Sequence, residues 1–189
     1  MSKPRILVFG GSLRAESYNQ KLAVIAADAA RAAGAEVTLI AIRDYRLPLF
    51  DEDLEAAEGK SDAAKKLKEM FLAADGFIIA SPEYNSGMTG ALKNVIDWVS
   101  RADSEDEPPL LAYKGKTAAI VSASPGQGGG VRSLAQLRQL LLNIRVEVIT
   151  AEVAVPKAYE AFDEAGKLID PAKQAEVEAL AKSLVEKLS

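Results

Sequence analysis

An uninterrupted apolar run, Ile6-Leu7-Val8-Phe9, passes directly into Gly10-Gly11-Ser12-Leu13-Arg14-Ala15-Glu16-Ser17-Tyr18-Asn19. From there it enters a stripe at helical spacing formed by Leu22, Ala23, Ile25, Ala26, Ala29, Ala30 and Ala33. A strand with no polar alternation has both faces covered, which is the condition of a parallel sheet between helices. The same unit recurs twice. Gly76 to Ala80 (GFIIA) leads into Ser81 to Gly90 and then a helical face of Leu92, Val95, Ile96 and Val99. Lys116 to Ser122 (KTAAIVS) leads into Ser124-Pro125-Gly126-Gln127-Gly128-Gly129-Gly130 and a leucine-rich helix over 131–142. Further strands are predicted over 36–42 and 146–155. Ala64, Leu67, Phe71 and Ala74 mark a helix between the second and third strands, and Val177, Leu180, Ala181, Leu184, Val185 and Leu188 mark a closing one. Alternating strands and helices predict an α/β three-layer sandwich, with a five-stranded parallel sheet of order 2-1-3-4-5 and helices on both faces. At 189 residues the chain fits a single domain over 1–189 that buries a full core without disulfides or metal.

In an open parallel sheet, ligands bind outside the carboxyl ends of the strands, where the strand order reverses. The three glycine-bearing polar loops follow the first, third and fourth strands, so all three belong to that edge. The first has the composition of a phosphate loop. Its glycines let the backbone approach, Ser12, Ser17 and Asn19 offer side-chain donors, Arg14 brings a fixed charge, and the following helix presents free N–H groups. Taken alone, the stretch also reads as an ordinary strand-to-helix turn with a Ser or Asn cap. Three such loops at one edge favour a ligand. Two other nucleotide motifs fail. Gly115-Lys116-Thr117 resembles the end of a P-loop, but Leu110 stands where its first glycine belongs and a strand follows it. Gly126 to Val131 lacks the third glycine of the dinucleotide fingerprint and follows the fourth strand. What remains is a mononucleotide phosphate at 12–19 with a planar ring along 82–87 and 124–129.

The chain has neither cysteine nor histidine, which excludes thiol chemistry, disulfides, histidine triads and the common transition-metal ligand sets. Its formal charge of −4 comes from interspersed charges, which predicts no nucleic-acid face and no membrane patch. With no apolar run of spanning length and a strand starting almost at the first residue, a cytoplasmic location is expected. The acidic stretch Asp103 to Pro109 reads as a solvated excursion. Asp44 to Asp53 reads as a loop, and its Tyr45, Leu47, Leu49 and Phe50 would form a large apolar patch on a monomer, the usual mark of a contact surface. With the helix over 94–101, this patch predicts a homodimer or homotetramer whose interface runs beside the crevice.

The motifs GSLRAESYN, SPEYNSGMTGALKNVIDWVSR and SASPGQGGGVRS, in this order and over nearly the whole chain, resemble those of the NAD(P)H-dependent FMN reductases of flavodoxin-like fold, including their chromate and quinone reductase branch. The resemblance implies FMN as cofactor and NADPH or NADH as donor. It implies that Ser12, Arg14, Ser17 and Asn19 hold the FMN phosphate, and that Pro82, Glu83, Tyr84, Asn85, Ser86 and Gly87, with Ser124 and Gly126, contact the flavin ring and ribityl chain. It further implies hydride transfer from NAD(P)H through FMN to quinone, azo, nitroaromatic or oxidised-metal acceptors, and assembly into dimers or tetramers. Since a flavin carries its own chemistry, the missing histidine and cysteine are no obstacle. The backbone amides of 85–87 are expected to stabilise charge at the ring edge. A flavodoxin-like electron carrier and a non-catalytic flavin-sensing module are the alternatives.

Overall fold

A computed structural model describes residues 3–189. In chain order it places β1 (Arg5–Gly10), α1 (Tyr18–Ala32), β2 (Glu36–Ala41), a 3-10 turn at Ile42–Asp44, α2 (Glu52–Glu58), α3 (Asp62–Ala73) and β3 (Gly76–Ala80). These are followed by α4 (Gly90–Ser100), β4 (Thr117–Ala123), α5 (Val131–Asn143), β5 (Glu147–Val155) and α6 (Pro171–Leu188). All strand pairings are parallel and the order is β2-β1-β3-β4-β5. The chain therefore runs outward from β1 to β2, then crosses back to lay β3 on the other side of β1. That reversal separates the loops after β1 and β3.

The period-two alternation of the central strands divides the core in two. Ile6 and Val8 of β1, Ile78 and Ala80 of β3, and Ala119 and Val121 of β4 pack with α1 and α6 on one face. Leu7 and Phe9, Phe77 and Ile79, and Ala118 and Ile120 pack with α3, α4 and α5 on the other. Neither face of β3 meets water, which is why GFIIA carries no polar residue. Phe71 of α3 lies within 5.6 Å of the rings of Phe9, Phe77 and Tyr113, all fully buried. Removing such a ring costs about 3–5 kcal/mol. Tyr113 satisfies its hydroxyl on the Ile96 carbonyl at 3.1 Å, and burial pushes its pKa well above the ordinary tyrosine value.

Two sequence expectations are corrected. The segment over 44–53 is not wholly irregular, since Asp51 caps α2 by accepting from the Asp53 and Leu54 N–H groups. Nor does it expose an apolar patch. Tyr45 and Leu47 pack on the second core, Phe50 meets Trp98 edge-on at 5.2 Å, and only Leu49 stays open, 81% exposed. Helix α4 holds this strap down. Asn94 accepts from Phe50 N–H and donates to the Pro48 carbonyl, and the Trp98 indole N–H donates to that same carbonyl, each at 2.8 Å.

The acidic stretch over 103–109 is anchored, not solvated. Lys68 of α3 is 1% exposed, and its ammonium contacts Asp103 at 2.9 Å, Glu107 at 2.5 Å and the Arg101 carbonyl at 2.7 Å. Lys60 reaches Asp103 at 2.5 Å and the same carbonyl at 2.6 Å. A buried ammonium costs several kcal/mol to desolvate unless it is paired and hydrogen-bonded, so both carboxylates are part of the fold of the connection between α4 and β4. Burial pushes the carboxyl pKa of Glu107 up, but the Lys68 hydrogen bond, the Asp103 N–H and the Lys68 charge together outweigh it and leave Glu107 below the usual carboxylate range; Asp103 is lowered in the same way, by Lys60 and Lys68 together. A depressed folded pKa stabilises the fold above the ordinary carboxylate range, and that contribution is lost as pH falls through the folded value. We expect Glu107→Gln to lower the urea midpoint near neutral pH and to flatten the loss of stability below about pH 4. Lys68→Ala should cost about 3–5 kcal/mol in the same unfolding measurement.

Candidate active site

The loops after β1, β3 and β4 meet at the carboxyl edge of the sheet. Ser12, Arg14, Ser17, Tyr18 and Asn19 from the first, Pro82, Glu83 and Tyr84 from the second, and Ala123, Ser124 and Pro125 from the third line one cleft. Of the twelve residues singled out from the sequence, Ser12, Arg14, Ser17, Asn19, Pro82, Glu83, Tyr84 and Ser124 are thus brought together. Asn85, Ser86, Gly87 and Gly126 stand just outside its walls.

Direct bonds fix the loops to one another. The Asn19 amide donates to the Ala123 carbonyl at 2.7 Å and accepts from the Ala123 N–H at 2.9 Å, joining the first loop to the third. Thr89 caps α4 through the Leu92 N–H and donates to the Gly11 carbonyl, joining the second loop to the first. Gly11 N–H donates to the Ala80 carbonyl at 2.8 Å, and a Cβ on Gly11 would stand 3.0 Å from Leu92. In the third loop, Gly130 (φ 98°) has room for no side chain, because a Cβ there would fall 1.9 Å from Ser122 Oγ. The glycines over 129–130 thus serve close packing of the loop on the sheet.

The first loop keeps unspent donors. Ser17 Oγ accepts from Gln20 N–H at the start of α1, and Ser12 Oγ accepts from Arg14 N–H, so each hydroxyl keeps its own proton to donate. The first turn of α1 contains no acidic residue, and its leading N–H groups have no intrahelical partner. Above them the Arg14 guanidinium lies 5.6 Å from the centroid of the Tyr18 ring, which stacks in turn on Phe162 at 6.0 Å and 7°. Arginine is therefore presented on an aromatic shelf. The N-terminus of α5 is different. The Glu83 carboxylate accepts from the Arg132 and Ser133 N–H groups at 3.1 and 3.3 Å, so this helix end already has its anion.

Several side chains are committed differently from expectation. Glu83 spends its carboxylate on α5, and Asn19 has one N–H left after bonding Ala123. Tyr84 and Gly87 exchange backbone hydrogen bonds of 2.8 and 3.0 Å around Asn85 (φ 51°) and Ser86 (φ 66°), a tight turn with both central residues left-handed. The Gly87 N–H is consumed in that turn and is not available to a ring edge. Gln136 donates to the Ser86 carbonyl at 3.3 Å and braces the turn from α5. Gly126 likewise donates its N–H to Ser124 Oγ. Tyr18 and Thr89 were not singled out from the sequence. Thr89 before an apolar helical face is an N-cap signal, whereas nothing in the local sequence pairs Tyr18 with Phe162.

A five-stranded parallel sheet of order β2-β1-β3-β4-β5, with polar loops gathered at the crevice where that order reverses and unspent serine and arginine donors at a helix N-terminus, defines a flavodoxin-like fold. The chain belongs to the NADPH-dependent FMN reductase family, whose match spans residues 4–160. Membership makes it an NAD(P)H-dependent flavoenzyme with FMN as cofactor. It is 39% identical over 167 residues to an NAD(P)H-dependent FMN reductase of Pseudomonas aeruginosa, covering 88% of this chain and 85% of that one. It is 36% identical over 166 residues to a quinone reductase of Pseudomonas putida, covering 87% and 84%. Among solved structures it resembles the flavoenzyme NAD(P)H:(acceptor) oxidoreductase FerB of Paracoccus denitrificans with a TM-score of 0.80 and 26% identity, covering 98% of this chain and 97% of that one. A flavodoxin from the domain Archaea, at TM-score 0.64 and 12% identity over 97% and 98% of the two chains, shares the fold. No helix among the described residues is long and apolar enough to cross a membrane.

The pair of hydrogen bonds between Asn19 and Ala123 predicts a stability effect that needs no ligand. Asn19→Ala strands a buried carbonyl and a buried N–H, and should lower the unfolding free energy of the ligand-free protein by about 2 kcal/mol or more. Chemical denaturation without flavin measures it. A variant as stable as the parent would make the bond between the loops dispensable.

Proposed function

We propose that the chain reduces quinones and other small oxidants, azo and nitroaromatic compounds and oxidised metals among them, with electrons from NAD(P)H. The observation that carries this reading is the first loop, where Ser12, Arg14 and Ser17 keep unspent donors at the start of α1. The donor set suits a phosphomonoester. Neutral hydroxyls, free helix N–H groups and one guanidinium complement a dianion, and no carboxylate of the first turn opposes it. FMN held there would supply the two-electron redox chemistry between the nicotinamide donor and the acceptor.

The work of the protein's own residues is to bind, orient and shelter. Ser12, Arg14 and Ser17, with the remaining N–H of Asn19, hold the phosphate. Pro82, Glu83 and Tyr84, together with Ser124 and Gly126, line the way toward the ring. The left-handed turn at Asn85 and Ser86 leaves the backbone N–H groups of these two residues unbonded within the loop. Tyr84 is 52% exposed and is the side chain best placed to cover a ring or to admit a flat acceptor.

Purified protein loaded with FMN should lose its oxidised flavin absorbance on anaerobic addition of NADPH or NADH and recover it on addition of a quinone. FMN binding without reduction by either nicotinamide would favour the electron carrier. Arg14→Ala should weaken FMN binding about tenfold or more, since a charge-assisted hydrogen bond contributes about 1.5–3 kcal/mol. Riboflavin, which lacks the phosphate, should bind parent and variant alike; equal losses for both ligands would make Arg14 a structural residue.

The reading extends to assembly as a homodimer or homotetramer. Leu13, Leu49 and Tyr84 are large apolar or aromatic side chains left open, and Leu13 and Tyr84 line one cavity beside the crevice. A two-fold pairing over that face would give each crevice a further wall. Leu49→Asp should then shift the particle mass measured by light scattering toward the monomer. A parent that is monomeric at micromolar concentration and fully active contradicts the assembly.

A further inference from the structure

Next to the three-loop cleft lies a cavity of about 360 Å³ lined by Gly11 to Arg14, Tyr84 and Thr89 to Ala91, and it shares Ser12, Arg14 and Tyr84 with the cleft. Beyond it is another cavity of about 390 Å³, whose walls include Leu13 and Ala91 of the previous one. The three openings are neighbours, each sharing lining residues with the next, and lead from the three-loop cleft past Leu13 to the segment after β2. At the far end the lining is Ile42, Arg43, Tyr45, Arg46 and Leu47, faced by Asn94 and Val95 of α4.

This far cavity has a distinct electrostatic character. Two arginines and no acidic residue are among its lining residues. Among the described residues neither Arg43 nor Arg46 takes part in an ion pair, although the chain carries a net negative charge and most of its other arginines are paired. The wall is also rigid. Tyr45 and Leu47 are packed on the second core, the Tyr45 hydroxyl donates to Met70 Sδ at 3.7 Å, and Asn94 clamps Pro48 and Phe50. Two unneutralised arginines on a fixed wall suit phosphate oxygens, which a guanidinium fork bonds in pairs.

We propose that Arg43 and Arg46 form the subsite for the phosphate groups of the nicotinamide dinucleotide, the electron donor of the reaction proposed above. The inference rests on that reading for the identity of the anion. With the nicotinamide end at the crevice, the rest of the dinucleotide runs along the track and brings its phosphates to the two arginines. The shared chemistry is a phosphate ester or anhydride, and two groups of the donor offer it. The 2′-phosphate is present in NADPH alone, whereas the pyrophosphate is present in both donors.

The test uses the FMN-loaded protein and the variants Arg43→Gln, Arg46→Gln and their combination. Calorimetric titration with NADP+ and with NAD+ reads binding without turnover, so it is independent of whether the donor reduces the flavin. The double variant should weaken NADP+ binding about tenfold or more, with a parallel rise in KM for NADPH, little change in kcat and an unchanged FMN affinity. A loss confined to NADP+ assigns the arginines to the 2′-phosphate, and an equal loss for NAD+ assigns them to the pyrophosphate. Arg43→Lys with Arg46→Lys should recover part of the affinity, because a point charge replaces the fork. Unchanged affinity for both dinucleotides overturns the proposal, as does a loss of FMN affinity equal to the loss for NADP+. If the flavin is reduced by neither donor while these affinities shift as expected, the catalytic reading fails and the subsite stands.

Discussion

A strand in a parallel sheet cannot turn back into its neighbour, so every connection must leave at the carboxyl edge and return to the opposite one through a crossover. The architecture of this protein depends on that constraint. It brings the loops after β1, β3 and β4 to one edge, and the outward run to β2 followed by the return to β3 opens a gap between two of them. The apolar strands themselves need both faces covered, which requires α1 and α6 on one side and α3, α4 and α5 on the other. Covering the faces leaves the edge as the place where polar loops face solvent together.

Loops gathered at an edge are not yet a site, because mobile donors lose much of their binding energy in becoming ordered. Here a set of polar residues fixes the frame. Asn19 binds Ala123, Thr89 binds Gly11, and Ser122 donates to the Ser81 carbonyl at 2.6 Å. Ser133 of α5 meets Ser81 at 2.6 Å and donates to the Pro82 carbonyl at 2.9 Å. Glu83 neutralises the N-terminus of α5. Ser12, Arg14 and Ser17 are left with donors unspent, as is one N–H of Asn19.

The sheet order, the bounds of β3 and the edge on which the loops meet were legible in the sequence, because burial on both faces leaves an uninterrupted apolar run that polar loops then terminate. The division of labour within the loops was not. Asn19 and Ser17 are equally good donors in sequence, and only the position of Ala123, 104 residues away, engages one of them. The acidic stretch looked solvated because its partners lie about forty residues upstream, Lys68 on α3 and Lys60 in the turn before it. Tyr45, Leu47 and Phe50 looked like an exposed patch because the clamp by Asn94 and Trp98 has no local signature. In each case a side chain's fate was decided by a residue distant in sequence, beyond the reach of periodicity and composition.

The central claim is that the start of α1 holds the cofactor phosphate and that the loops after β3 and β4 hold the ring. A crystal structure of the protein loaded with FMN tests it most directly. The account predicts the phosphate within hydrogen-bond distance of Ser12, Arg14 and Ser17, with the ring against 82–87 and 124–126 and the Asn19 to Ala123 bonds intact. A phosphate seated at the start of α5, with Glu83 displaced from the Arg132 and Ser133 N–H groups, would contradict it.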